Sequence, residues 1–168
     1  MLRRVGQWTD RNLWILPILS FLLAEIALLV YQYTVGDPLL LAKIKPENRK
    51  EIYSSLTGSS SGLLGFALAA VAIMAAFGRR SVNMQEDRQR ENQLADARVG
   101  ISKILLATSI FLMTILVTAT VAIGIDDQKS GSFVLTSIIT SSVASSLIGL
   151  LVSCAGLVLS LAERSRER

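Results

Sequence analysis

One carboxylate stands in a stretch that otherwise offers it almost nothing polar: SFLLAEIALLVY, Ser20 to Tyr31, with Glu25 at its centre. A carboxyl group in hydrocarbon costs a few kcal/mol on insertion scales, so it must be protonated, hydrogen-bonded to hydroxyls, or open to a hydrated cavity. The chemistry to expect of Glu25 is attraction of a cation or the holding of a proton. Hydroxyls that could meet it, or line a watery vestibule beside it, include Ser59, Thr118, Ser137, Thr140 and Ser141. Little other chemistry is on offer. The chain has no His and a single cysteine, Cys154, so imidazole metal ligands, His-dependent triads and an intramolecular disulfide are all excluded. No G-x-x-x-x-G-K-[ST] loop is present to cradle phosphates. The expectation is a protein without catalytic residues, cofactor or metal centre.

The elements that must position Glu25 are visible as four long apolar runs in 168 residues, 51% of them hydrophobic, with a mean hydropathy of +0.50. A bilayer core of about 30 Å requires roughly 20 residues of helix at 1.5 Å each, and every run is long enough. The runs predict an all-α integral membrane four-helix bundle forming a single domain over 1–168. Its spans lie at about 12–35, 52–78, 101–125 and 132–162, and a connection occupies 79–100. The first run exceeds the apolar length of a signal peptide, and no small-x-small site follows it, so it reads as a retained span.

Lysine and arginine set the orientation. Twelve of them flank one side: Arg3, Arg4, Arg11, Arg79, Arg80, Arg88, Arg90, Arg98, Lys103, Arg164, Arg166 and Arg168. Five flank the other: Lys43, Lys45, Arg49, Lys50 and Lys129. This asymmetry predicts both termini in the cytoplasm. Trp8 and Trp14 at the inner level, with Tyr31, Tyr33 and Tyr53 at the outer, fit the aromatic belts of the two interfaces. The net charge of +4 is then explained by anchoring, without a nucleic-acid partner.

Two spans carry stripes of small residues: Gly58, Gly62, Gly65, Ala69, Ala72 and Ala76 in the second, Ser142, Ser145, Gly149, Ser153, Gly156 and Ser160 in the fourth. Such stripes let helix backbones approach closely, and a four-helix protomer has limited interior to absorb two of them, so a homo-oligomer is expected. Hydroxyls also gather by depth. Spans two and four begin with Ser54, Ser55, Thr57, Ser59, Ser60 and Ser61 and with Ser132, Thr136, Ser137, Thr140, Ser141, Ser142, Ser145 and Ser146, while Thr114, Thr118 and Thr120 sit late in span three. With both termini in the cytoplasm, these hydroxyls gather toward the outer leaflet. One reading is tolerated polarity, each hydroxyl bonding back to its own helix; the other is an outward-facing hydrated vestibule.

The connections have their own signals. Pro46 is suited to the first helical position of an extended second span. Asn83 with Glu86 resembles a capping box, Glu86 can pair with Arg90, and Gly100 is a natural stop, which together predict a separate cytoplasmic helix. Its bland role is a solvated helix; its functional role is contact with a soluble partner through Arg88, Arg90 and Glu91.

Two resemblances follow from quoted stretches. SSLTGSSSGLLGFALAAVAI looks like the second span of small four-span bacterial membrane proteins of antiphage-defence operons, such as the Kiwa membrane subunit. That likeness implies an inner-membrane protein of antiviral defence with a cytoplasmic partner. SFLLAEIALL and CAGLVLSL resemble the small multidrug resistance transporters, whose first-span glutamate would correspond to Glu25. Here, however, neither span two nor span three contains a Trp, the one Tyr of the pair, Tyr53, stands at the very start of span two, the loops are longer, and the charge asymmetry is pronounced. The expectation is therefore a homo-oligomeric, pore- or channel-like membrane effector or sensor. A non-conducting scaffold for a soluble partner comes second, and a proton-coupled small-cation exporter third.

Overall fold

The computed structural model describes residues 12–36, 44–76, 85–125 and 132–166. All the regular structure among them is helical. A 3-10 turn at Leu13–Ile15 leads into α1, Leu16–Val35, and α2 covers Pro46–Ala76, α3 Gln85–Ile125 and α4 Phe133–Arg166. Each contains a segment long and apolar enough to cross a membrane: Leu13–Val35, Pro46–Ala76, Arg98–Ile125 and Phe133–Val158. The chain is a multi-pass membrane protein with four candidate spans.

The helix ends follow local chemistry. Pro17 lies in the first turn of α1, where its missing N–H has no intrahelical partner to lose. Gly36 ends the helix in the left-handed conformation at φ 68°, and its N–H donates to the Gln32 carbonyl. Pro46 opens α2, as its position before the charged turn predicts. The expected break at Gly100 does not occur. α3 passes through it without a positive φ, because the exit from a helix at glycine requires the left-handed state, and Ile101, Ile104 and Leu105 immediately beyond bury a face that holds the helix together. Residues 85–125 are thus one helix rather than a short helix followed by a span. Asn83 lies outside the described residues, as do the connection's first residues, 79–84.

The packing order differs from the order along the chain. α2 packs along α3, α3 along α4, and α4 along α1, whereas α1 and α2 share no packed face. Neighbours are antiparallel: Met74 of α2 meets Ser102 of α3 while Tyr53 meets Ala119 and Ala122, and Gly149 of α4 meets Thr108 while Gly156 meets Ile101. The bundle is therefore open between its outermost helices. Much of the apolar window of α3 is buried, and little of α1 or α2.

Two clusters hold the row. At one end Tyr53, Ala119, Ala122 and Ile139 are buried together, with Leu56, Ile123, Leu135 and Val143 against them. At the other, Ala67, Ile101 and Leu105 pack with Ala70, Val71 and Met74. Tyr53 is accordingly not a belt residue. It is wholly buried, because the small side chains of Ala119 and Ala122 leave room for a ring between α2 and α3, whereas Trp14, Tyr31 and Tyr33 are exposed as belt residues should be. Arg49, one turn before Tyr53, is also wholly buried, and its Nη1 donates to the Ile44 carbonyl at 3.2 Å.

Candidate functional site: the polar seam between α1 and α4

The fourth helix buries hydroxyls where a soluble helix would bury leucines. Thr136, Ser137, Ser141, Ser142, Ser145, Ser146 and Ser153 are all buried. Small side chains on two faces let α4 lie close to α3 on one side and α1 on the other. Most of the hydroxyls are satisfied within the helix: Thr136 donates to the Ser132 carbonyl at 2.9 Å, Ser137 to Val134 at 3.1 Å, Thr140 to Thr136 at 2.7 Å, Ser146 to Val143 at 2.9 Å and Ser153 to Gly149 at 2.9 Å. That pattern is the self-satisfied polarity available to Ser and Thr in any helix.

Two serines depart from it by reaching α1. The Ser141 hydroxyl lies 2.6 Å from Glu25 Oε1, within hydrogen-bonding distance, and one turn further along α4 the Ser145 hydroxyl donates to the Pro17 carbonyl. Ser20 completes the second contact, its hydroxyl 2.8 Å from the Pro17 carbonyl and 3.2 Å from Ser145 Oγ. Glu25 thus sits half-buried on the α4 side of α1, against a wholly buried serine, in a seam of oxygen atoms. The Phe21 ring, one turn before Glu25, stacks on Phe111 of α3 with centroids 5.3 Å apart and fixes the rotation of α1 that brings the carboxyl group to α4. Two further oxygens, Ser142 Oγ and Gln32 Oε1, are buried without a hydrogen-bond partner. Such a seam can hold a proton or attract a cation.

The five hydroxyls read as a vestibule are distributed rather than gathered. Ser137 and Ser141 are buried in α4, Thr118 is half-buried with its hydroxyl donating to the Thr114 carbonyl at 2.5 Å, and Ser59 and Thr140 are exposed. The two small stripes also part company. Ser145, Gly149, Ser153 and Gly156 face neighbouring helices of the same protomer, with Gly149 under Thr108 and Gly156 against Ile101. Gly58, Gly62 and Gly65 are exposed, and nothing stands within 4 Å of where a Cβ would be. The side chains of Arg88, Arg90 and Glu91 lie outside the described residues.

Several participants escape a reading of the sequence. Ser20 stands five residues before Glu25, and a search for hydroxyls on the glutamate's own helix would have found it. Thr108 carries no signal of its own, since its importance comes from lying opposite Gly149. Pro17 contributes a backbone carbonyl, which no side-chain pattern announces. Comparison with family models, curated proteins and solved structures finds no match to this chain.

Proposed function

We propose that this chain is a homo-oligomeric membrane protein of pore- or channel-like type, in which copies meet through α2 and a cation-favouring path runs past hydroxyls and Glu25. The observation that carries the reading is the bare face of α2. Gly58, Gly62 and Gly65, with Ser54, Ser55, Ser59 and Ser61 beside them, are exposed on a helix whose packing within the protomer uses other residues. Exposed hydroxyls gain little from lipid tails, whereas a second helix or water gives them partners. The charge asymmetry of the sequence supports both termini on the cytoplasmic side of a bacterial inner membrane.

A second reading has its own observation. α3 contains 41 residues, about 62 Å of helix by the standard rise, roughly twice the thickness of a bilayer core. Its Gln85 end precedes the apolar segment that begins at Arg98. A rod continuous with the middle of the bundle would transmit contact with a soluble partner, the arrangement of a sensor in an antiphage-type system or of a non-conducting scaffold.

Reconstitution separates these roles. Purified protein in liposomes carries ion current without a proton gradient if it is a pore, and Glu25→Gln changes that current. A scaffold gives no current, an outcome that removes the first reading. Flux seen only with an imposed proton gradient indicates a coupled exporter.

A further inference from the structure

The hydroxyl of Ser141 has one proton and three oxygens within reach. Glu25 Oε1 is 2.6 Å away, the Ser137 carbonyl 2.8 Å and the Ile138 carbonyl 3.2 Å. Two assignments are possible. If Ser141 donates to Glu25, the only proton of the pair is used there and its bond to the helix is given up. If Ser141 donates to Ser137, it keeps the same bond its neighbours keep: Thr136, Thr140 and Ser153 all donate to the carbonyl four residues back, at 2.7 to 2.9 Å. Ser141 then presents a lone pair to Glu25, and the carboxyl group must supply the proton for the bond between them.

With a proton on the carboxyl group, the pair makes both bonds at once, one across the seam and one within α4. That proton also removes a negative charge from a place where no basic side chain among the described residues is shown to pair with it. Glu25 meets α4 through Ser141, and its helix meets α3 through Phe21, so the groups on both matter. Among the described side chains of α4 the titratable one is Cys154, thirteen residues beyond Ser141 and exposed. On α3, Phe111 lies level with Phe21, which sets Glu25 near Ile115; Lys103 is twelve residues below that level, roughly 18 Å at helical rise. On α1 itself, Tyr31 and Tyr33 are exposed toward the far end.

We propose that Glu25 is a proton-binding site, with its carboxylic acid donating to Ser141 Oγ and Ser141 donating in turn to the Ser137 carbonyl. The proton is then a structural element of the α1–α4 seam. Its departure leaves a carboxylate that must either take the Ser141 proton from the helix or turn to water, so the contact between the two helices is coupled to proton occupancy. This inference does not depend on conduction: a non-conducting assembly would hold the same proton, and in a conducting one Glu25 attracts a cation only after that proton has left.

Isotope-edited infrared spectroscopy tests it directly. Protein carrying carbon-13 glutamate is reconstituted in phosphatidylcholine vesicles at neutral pH. The expected spectrum contains a carboxylic-acid C=O band, separate from the bands of ionised glutamates. Glu25→Gln removes that band, and Ser141→Ala moves it to higher frequency because the acid has lost its acceptor. Ionised bands alone in the unmodified protein overturn the proposal, as does an acid band that persists unmoved in Ser141→Ala. The first readout comes from the unmodified protein and the second from a serine variant that retains the Ser145–Pro17 contact, so misfolding of Glu25→Gln leaves the decision intact.

Discussion

Thr108 of α3 lies directly over the bare α-carbon of Gly149 in α4, with its hydroxyl, Cβ and methyl all crowding the space where a side chain would start. Thr108 is itself wholly buried, and its hydroxyl is tied to the Ile104 carbonyl at 2.8 Å, so it cannot simply swing aside. Gly149→Ala should therefore push α3 and α4 apart. Overpacking of this kind costs about 1–3 kcal/mol. Thermal unfolding in detergent micelles should show a lowered midpoint for Gly149→Ala and partial recovery when Thr108→Ala is added. Recovery is only partial because the Thr108 Cβ still lies 3.1 Å from the new methyl position.

Ser145 makes the other contact that defines the middle of the row. Its hydroxyl donates to the Pro17 carbonyl, and Ser20 Oγ lies 3.2 Å away. Ser145→Ala removes the link but leaves the close approach of the helices, so the loss should match a typical interhelical hydrogen bond in a membrane, about 0.6 kcal/mol and at most about 1.7 kcal/mol. Ser145→Leu should cost more, since a large side chain has no room at a wholly buried position. Denaturation with a strong detergent, followed by the loss of helical signal, measures both. Equal stability of the two variants would show that the site is looser than the contact implies.

The membrane spans were legible because hydrocarbon imposes length and apolarity on every segment that crosses it, and Pro46 was legible because proline has few welcome places in a helix. Adjacency was not. Nothing in the residues of α4 says that it, rather than α2, lies beside α1, because the order of helices depends on which faces fit together. The two small stripes show the same limit. Gly65 and Gly149 are equivalent in a list of small residues, yet one faces out of the protomer and the other is covered by Thr108. Hydroxyl partners for Glu25 could be anticipated from depth alone, while the choice of Ser141 required the rotation of α1 that the Phe21–Phe111 stack sets. Gly100 misleads because a stop signal acts only where the chain beyond has no reason to continue the helix.

That last point has a measurable consequence. Gly100 has open space where a Cβ would stand and lies within a continuous helix. Gly100→Ala should stabilise α3 by about 0.5–1 kcal/mol, the usual advantage of alanine over glycine in a helix interior. Gly100→Pro should cost about 3 kcal/mol or more by removing a backbone hydrogen bond and clashing with the preceding turn. Hydrogen exchange of the amides around residues 97–104 reads both changes: slower exchange with alanine, faster with proline. Faster exchange with alanine would mean that the glycine is needed as a hinge.

The exposed face of α2 carries the prediction on which the proposed assembly turns. Gly58, Gly62 and Gly65 contribute nothing to packing inside the protomer, so a bulky replacement there meets no neighbour and should leave the folded monomer intact. If copies meet through this face, the same replacement removes the close backbone approach on which a small-residue interface depends. Gly62→Ile and Gly65→Ile should therefore retain the helical content and thermal midpoint of the original protein while shifting it to smaller species in analytical ultracentrifugation, and cross-linking in the membrane should fall in parallel. Gly149→Ile provides the contrast, since its damage should appear in stability first. The comparison separates an interface from a fold requirement because the two glycine sets differ in one respect that the structure makes plain: what already occupies the space beside them. An unchanged oligomer in both α2 variants would exclude this face as the place where copies join.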